Sequence, residues 1–406
     1  AQGYLVSSRL GGMHIDSLQL GLRWGERRLE GAVELYSPEG LLFAAGEAYL
    51  SEDRLWPESL SLRGRFQDLD LARMEVASLQ APLSGRWSLR MQGADEEAFS
   101  GLLELDLDSI AGQRDPFWLR LELESQPTGR KWVHLNSNAL EADLEGNARW
   151  NALAALLRYW GARWGGYAAA LRARIDSARA ELQFPFDSTA WFRLRWRPKE
   201  LSRLAAWWAD LRGLFWSGVG LLEMRADVDS LSMHLRFWAD SLRLGSVGAR
   251  SVALEVGARS GNPGSENWMY RADLRVQHLE VARRRLRSMQ LQAAYANRLT
   301  QGYLALEGED PNLLLQTSGL LLQEEAQSRL TLIDLYIGTP TYAWKNAAEA
   351  QFVLRPDAWR VEGLQLLNGP QRLLVSGGLQ ANGEDSLEVR LEGLHLEELS
   401  ELLRLP

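Results

Sequence analysis

The last fifty residues constrain the fold of this chain more than any other stretch. From Phe352 to Gln380 they run FVLRPDAWRVEGLQLLNGPQRLLVSGGLQ, and after Ala381-Asn-Gly-Glu-Asp385 they continue SLEVRLEGLHLEELSELL. Trp359, Val361, Leu364 and Leu366 mark one strand, with a slip of register at Gly363. Leu373, Val375, Gly377 and Leu379 alternate on the next, after the turn Asn368-Gly369-Pro370. Leu387, Val389 and Leu391 alternate on a third, after Asn382-Gly383. Asn-Gly ahead of alternating residues is a strong hairpin signal. Side chains alternate across a strand, so such a meander has one greasy face and one charged face. A short helix over 397–403 follows. What the greasy face covers decides the fold.

The same period-two rhythm fills residues 1–149 and resumes from 216 to the end. Met13–Trp24, Leu29–Tyr36, Ser59–Phe66, Gly85–Met91, Gly101–Leu107, Leu231–Phe237, Val252–Val256 and Leu330–Ile337 are among the runs. Turn signals arrive every eight to twelve residues or so, the mark of an all-β chain. Residues 150–215 break the rhythm. Trp150, Leu153, Leu157, Trp160 and Trp164 fall three and four apart, a helical stripe that Tyr167, Leu171, Ile175 and Leu182 continue. Trp191–Trp196 reads as strand, and Leu201, Leu204, Trp208 and Leu211 form a second helical face after Pro198. Three segments result: β repeats over 1–149, a helix-containing junction over 150–215, and β repeats over 216–406. No strict repeat length emerges, but a strand ending in a small residue and Gly recurs at Ala45-Gly46, Ser318-Gly319 and Ser376-Gly377. The chain does not open on Met, begins in a strand and ends in a helical pattern, which suggests a piece of a longer protein.

The residues offer little chemistry. A net charge of −8 lacks the basic footprint of a nucleic-acid binder. Cys is absent, which removes disulfides and thiolate metal sites. The five histidines (His14, His134, His234, His278 and His395) are too dispersed for a zinc site built on neighbouring residues. Asp106-Leu-Asp108 and Asp227-Val-Asp229 start like calcium loops, but place Ile110 and Leu231 where an oxygen ligand is needed. Gly218-Val-Gly220 is followed by Glu223, failing the dinucleotide pattern. No phosphate loop or nucleophile elbow occurs. No metal or cofactor and no catalytic group is expected. An enzyme with a Trp-lined pocket and two facing carboxylates is the reading this search leaves weakest.

A sheet of some twenty strands with one apolar face must bury that face. Alternation alone favours an ordinary sandwich or barrel. The other solution is a sheet that curls on itself and keeps an apolar trough, which would hold acyl chains. Helix-forming sequence is too scarce to cover so many strands.

The phrases Trp359-x-Val-x-Gly-Leu-x-Leu366, Leu374-Val-Ser-Gly-Gly-Leu379, Asp385-Ser-Leu-Glu-Val389 and Leu394-His-Leu-Glu-Glu-Leu-Ser-Glu-Leu-Leu403 resemble the recurring unit of the TamB branch of the AsmA-like proteins. Trp238-Ala-Asp-Ser-Leu-Arg-Leu-Gly245 before Ala249–Val256, Asp310–Gly319 and Pro198–Ala205 are similar to that family too. The resemblance covers most of the chain through loose leucine patterns. It implies a long curled antiparallel β-sheet, a taco-shaped groove with a few short amphipathic helices. It also implies a periplasmic location in a full-length protein anchored to the inner membrane of a diderm bacterium, with the anchor outside this stretch. The expected activity is a non-enzymatic conduit carrying phospholipid acyl chains between inner and outer membrane, linked to outer-membrane protein assembly with a TamA-like barrel. Candidate groove-lining residues are Val361, Leu364, Leu366, Leu373, Val375, Leu379, Leu387, Val389 and Leu391. The alternative is a scaffold whose sheet edge captures client β-strands.

Overall fold

A computed structural model describes residues 2–10, 13–38, 40–50, 57–69, 82–95, 98–110, 116–147, 190–200, 214–227, 230–261, 268–281, 284–309, 313–324, 327–339, 342–380 and 386–393. The helices expected over 150–182 and 397–403, and His395, lie outside them, as does the helix expected over 198–212 except for its first three residues, where Pro198 instead ends a strand. The described residues form strands and turns, with no helix among them.

The chain divides into two compact units, Ala1–Arg225 and Ala226–Pro406. The first holds β1 (Gln2–Leu10), β2 (Met13–Gly25), β3 (Arg28–Ser37), β4 (Gly40–Leu50), β5 (Pro57–Leu69), β6 (Leu83–Asp95), β7 (Ala98–Ile110), β8 (Phe117–Ser125), β9 (Lys131–Ser137), β10 (Leu140–Gly146), β11 (Ala190–Pro198) and most of β12 (Leu214–Asp227). From β1 to β11 each strand pairs antiparallel with the next.

The second unit holds β13 (Ser230–Leu244), β14 (Val247–Ser260), β15 (Trp268–Val281), β16 (Arg284–Ala296), β17 (Leu299–Gly308), β18 (Leu314–Gln323), β19 (Ser328–Thr339), β20 (Tyr342–Asn346), β21 (Ala350–Leu354), β22 (Ala358–Asn368), β23 (Gln371–Gln380) and β24 (Ser386–Glu392). It too is an antiparallel meander, except that β19 and β22 are each shared by the two short strands β20 and β21. The all-β antiparallel architecture is therefore the one the alternation predicts. Leucine is a helix former in isolation, yet its period-two spacing overrides that preference, because only a strand gathers alternate residues on one face.

Tight turns join neighbours. Asn297 and Arg298, with φ of 52° and 67°, link β16 to β17 with both central residues left-handed. That twist matches the flanking strands. Gly369, φ 56°, turns β22 into β23 at the expected Asn368-Gly369-Pro370.

Bulges interrupt the ladders. One extra residue sits on β14 near Ser251, on β15 at His278 and on β16 between Leu286 and Ser288. In the first unit Asp68, φ 53°, marks another on β5. Each bulge bends its strand and increases its twist. Small residues sit under large ones: the indole of Trp87 covers its cross-strand partner Gly64, and that of Trp196 covers Gly220.

Candidate functional site

Cross-strand register places the apolar residues of each unit on one shared face. In the first unit a row runs from Leu62 through Leu89, Leu103 and Leu121 to Leu135, every member opposite the next. It extends through Gly46 and Gly31 to Leu22 on β2, and through Ala142 to Trp196 on β11. In the second unit the corresponding row is Phe237, Leu254, Leu274, Leu291 and Leu304, continuing to Thr317 and Leu335. At about 4.8 Å per strand, this second row is roughly 29 Å long, close to the ~30 Å of a bilayer's hydrocarbon core.

Burial across this face is uneven in a telling way. Its margins, near the strand ends, are buried. Leu83, Leu107, Phe117 and Ala139 form one packed cluster, with Phe66, Leu105 and Leu119 against it. Ile15 and Leu35 form another with Leu18 and Leu42. The opposite margin of the first unit is the buried row Ser125, Lys131, Gly146 and Phe192. Lys131 brings a charge to this apolar side, its Nζ 3.3 Å from Ser125 Oγ. In the second unit Leu231, Met233, Ala258 and Trp268 are buried on one margin, and Ala239, Val252 and Val276 on the other. The middle rows are only half-buried, and Leu291 at the centre keeps 41% of its surface exposed. A sandwich core has the opposite profile, because its middle rows are the ones pressed against a second sheet. Buried margins with an open middle describe a trough.

The other face is charged and internally compensated. Glu141, Asp143 and Glu145 on β10 lie opposite Arg197, Arg195 and Arg193 on β11. His134 Nδ1 lies 2.7 Å from Asp143, and its ring stacks on Trp132 at 5.6 Å. His234 lies 2.6 Å from Glu255, and His278 3.5 Å from Glu309. Three of the five histidines thus sit on strand surfaces beside acids. Burial pushes the Asp273 carboxyl up, but hydrogen bonds from Arg275 and Gln292 and the charges of Arg275 and Arg271 outweigh it and hold it below the usual range. Among the described residues no three His, Asp or Glu side chains converge to hold a metal ion.

The nine residues singled out from the sequence lie together. The bulge at Gly363 (φ 71°) restores the parity of β22, so Val361, Leu364 and Leu366 share a face. Leu364 then faces Val375, which faces Val389; Leu366 faces Leu373, which faces Leu391; Val361 faces Gly377, which faces Leu387. Leu379 faces Trp359 on the same side. Their exposure rises toward β24, from 3% at Val361 to 44% at Leu387, 54% at Val389 and 52% at Leu391. Sequence reasoning named only this end of the face. The matching rows on β2–β11 and β13–β19 carry the same signal, but their alignment into rows depends on register, which single strands do not reveal.

Compared with family models, curated proteins and solved structures, the chain matches none.

Proposed function

We propose that this chain is a non-enzymatic lipid conduit, in which the apolar face holds acyl chains while headgroups stay in water along the open side of the trough. The observation that carries the reading is the half-open row through Leu291, about two acyl-chain lengths long, whose part on β13–β15 is set between buried margins. An exposed apolar strip of that extent is a liability on a soluble surface unless something apolar covers it. Each methylene buried contributes about 0.8 kcal/mol, so a two-chain lipid is retained, yet equivalent leucines along the row let it slide. The leucine phrases similar to the TamB family support the same reading. They extend it to phospholipid passage between inner and outer membrane, in the periplasm, within a membrane-anchored protein working with a TamA-like barrel. Photocrosslinking tests it. A benzophenone side chain at Leu291 should label with phospholipid, whereas one at Gln290, on the charged face, should not. Equal labelling at the two sites would sink the conduit.

A second reading, a scaffold that captures client strands, rests on β24. All seven of its residues are exposed, and among the described residues it pairs only with β23. A free edge of this kind accepts an added strand.

A further inference from the structure

We infer that a hinge line crosses the second unit through four successive positions of the sheet, β19, β20–β21, β22 and β23. On β19, Leu332 pairs with Ala350 of β21 and Tyr336 with Lys345 of β20, which leaves Ile333–Leu335 facing the gap between the two short strands. A single side chain spans that gap. Asn346 Oδ1 accepts from the Leu335 N–H at 2.8 Å, while its Nδ2 donates to the carbonyls of Ile333 at 2.7 Å and Ala348 at 3.0 Å. On the far side of the gap the ladder resumes with Ala347 N–H donating to Gln365 O at 2.8 Å.

The next two strands are irregular at the same level. β22 carries the extra residue at Gly363, φ 71°, beside Glu349. On β23, Gly377 has φ 107°, and an added Cβ there would collide with the Ser386 carbonyl oxygen. A continuous ladder resists bending along its strands, because every residue is tied to both neighbours. Here β19, the β20–β21 pair and β22 lose that tie at one level, and one amide side chain bridges the widest gap, while β23 keeps its ladder to both neighbours but takes positive φ at Gly377. Isolated bulges elsewhere in the unit lack such a strand break.

The line separates two groups of apolar residues. Trp344, Leu364, Leu366, Leu373 and Val375 lie on one side; Phe352, Trp359, Val361 and Leu379 lie on the other. Flexing about it changes the angle between the groups, and hence the width of the apolar face at this end. Asn346 is the positioning residue that sets the resting angle. The inference rests on backbone geometry and stands whether or not the face carries lipid.

The chain contains no cysteine, so spin labels can be placed at will. Labels at Thr331→Cys and Arg372→Cys straddle the line, whereas labels at Arg236→Cys and Gln290→Cys sit on the regular part of the β13–β16 ladder, away from its bulges. Pulsed electron paramagnetic resonance should give a distance distribution for the straddling pair at least twice as broad as for the ladder pair. Asn346→Ala should broaden it further and leave the ladder pair unchanged. Equally narrow distributions in the unsubstituted background would overturn the hinge, even if the Asn346 variant failed to fold. So would an Asn346→Ala protein that folds and leaves the straddling distribution unaltered.

Discussion

Placing two carboxylates on the apolar face should close it in a pH-dependent way. Val375 and Val389 are direct cross-strand partners, the first half-buried and the second 54% exposed. In the paired Val375→Glu, Val389→Glu protein, an acyl chain passing this point must cover two carboxyl groups. A covered carboxylate escapes the cost of losing water by taking up a proton, so protonation caps the penalty. At pH 7 that cap is about 1.36 kcal/mol for each of the ~2.7 pH units above a glutamate's ordinary pKa, or about 3.7 kcal/mol per group. Two groups give roughly 7 kcal/mol, enough to slow passage by about five orders of magnitude. At pH 5 the cap falls to about 1 kcal/mol per group, and most of the block should lift. Because Val389 is exposed on β24, which among the described residues pairs only with β23, the fold should survive the pair. Loading of a fluorescent phospholipid from vesicles, followed at pH 7 and pH 5 beside the Val375→Gln, Val389→Gln control, reads this out. Undiminished loading at pH 7, or a block of equal depth at both pH values, would refute the reasoning.

Further outcomes follow from the packing and the charges. Gly64→Ala should destabilise the first unit by about 1–3 kcal/mol, because the new methyl group meets both the Trp87 indole and the Phe43 carbonyl oxygen; chemical denaturation measures it. Asp143→Lys faces Arg195 across the ladder and removes the partner of His134. It should cost about 0.5–1 kcal/mol at low salt and less at high salt, as expected of exposed pairs. The depressed Asp273 carboxyl holds its proton less tightly folded than unfolded. Its stabilisation is therefore complete above the unfolded value of about 3.9 and is lost as pH falls through the lower folded value. Asp273→Asn should flatten that acid limb in a thermal-melt series.

Much of the fold was legible because one signal dominates it. Leu387, Val389 and Leu391 cannot share a helical face, and with Asn-Gly turns between such runs only a meander fits. Even the register slip at Gly363 showed, since Val361 and Leu364 are both apolar but differ in parity. Other irregularities left no mark. Ser251 and His278 take positive φ in bulges without being glycine, and nothing distinguishes them from their neighbours in the sequence. The break between β20 and β21 falls in Asn346–Ala350, where Asn346 completes the ladder through tertiary contacts that no local pattern encodes. Lys131 was equally silent: between Arg130 and Trp132 it reads as part of a charged turn, yet its side chain is buried on the apolar side. Alternation alone favoured a sandwich or barrel core over an open trough, although both need the same period. The half-open middle row separates them.

Native mass spectrometry of the purified protein tests the central claim most directly. The apolar rows predict a chain that carries one or more phospholipid masses, lost together with loading capacity in the Val375→Glu, Val389→Glu protein at pH 7. A clean mass without lipid, in a folded protein that instead binds β-strand peptides, would contradict the conduit.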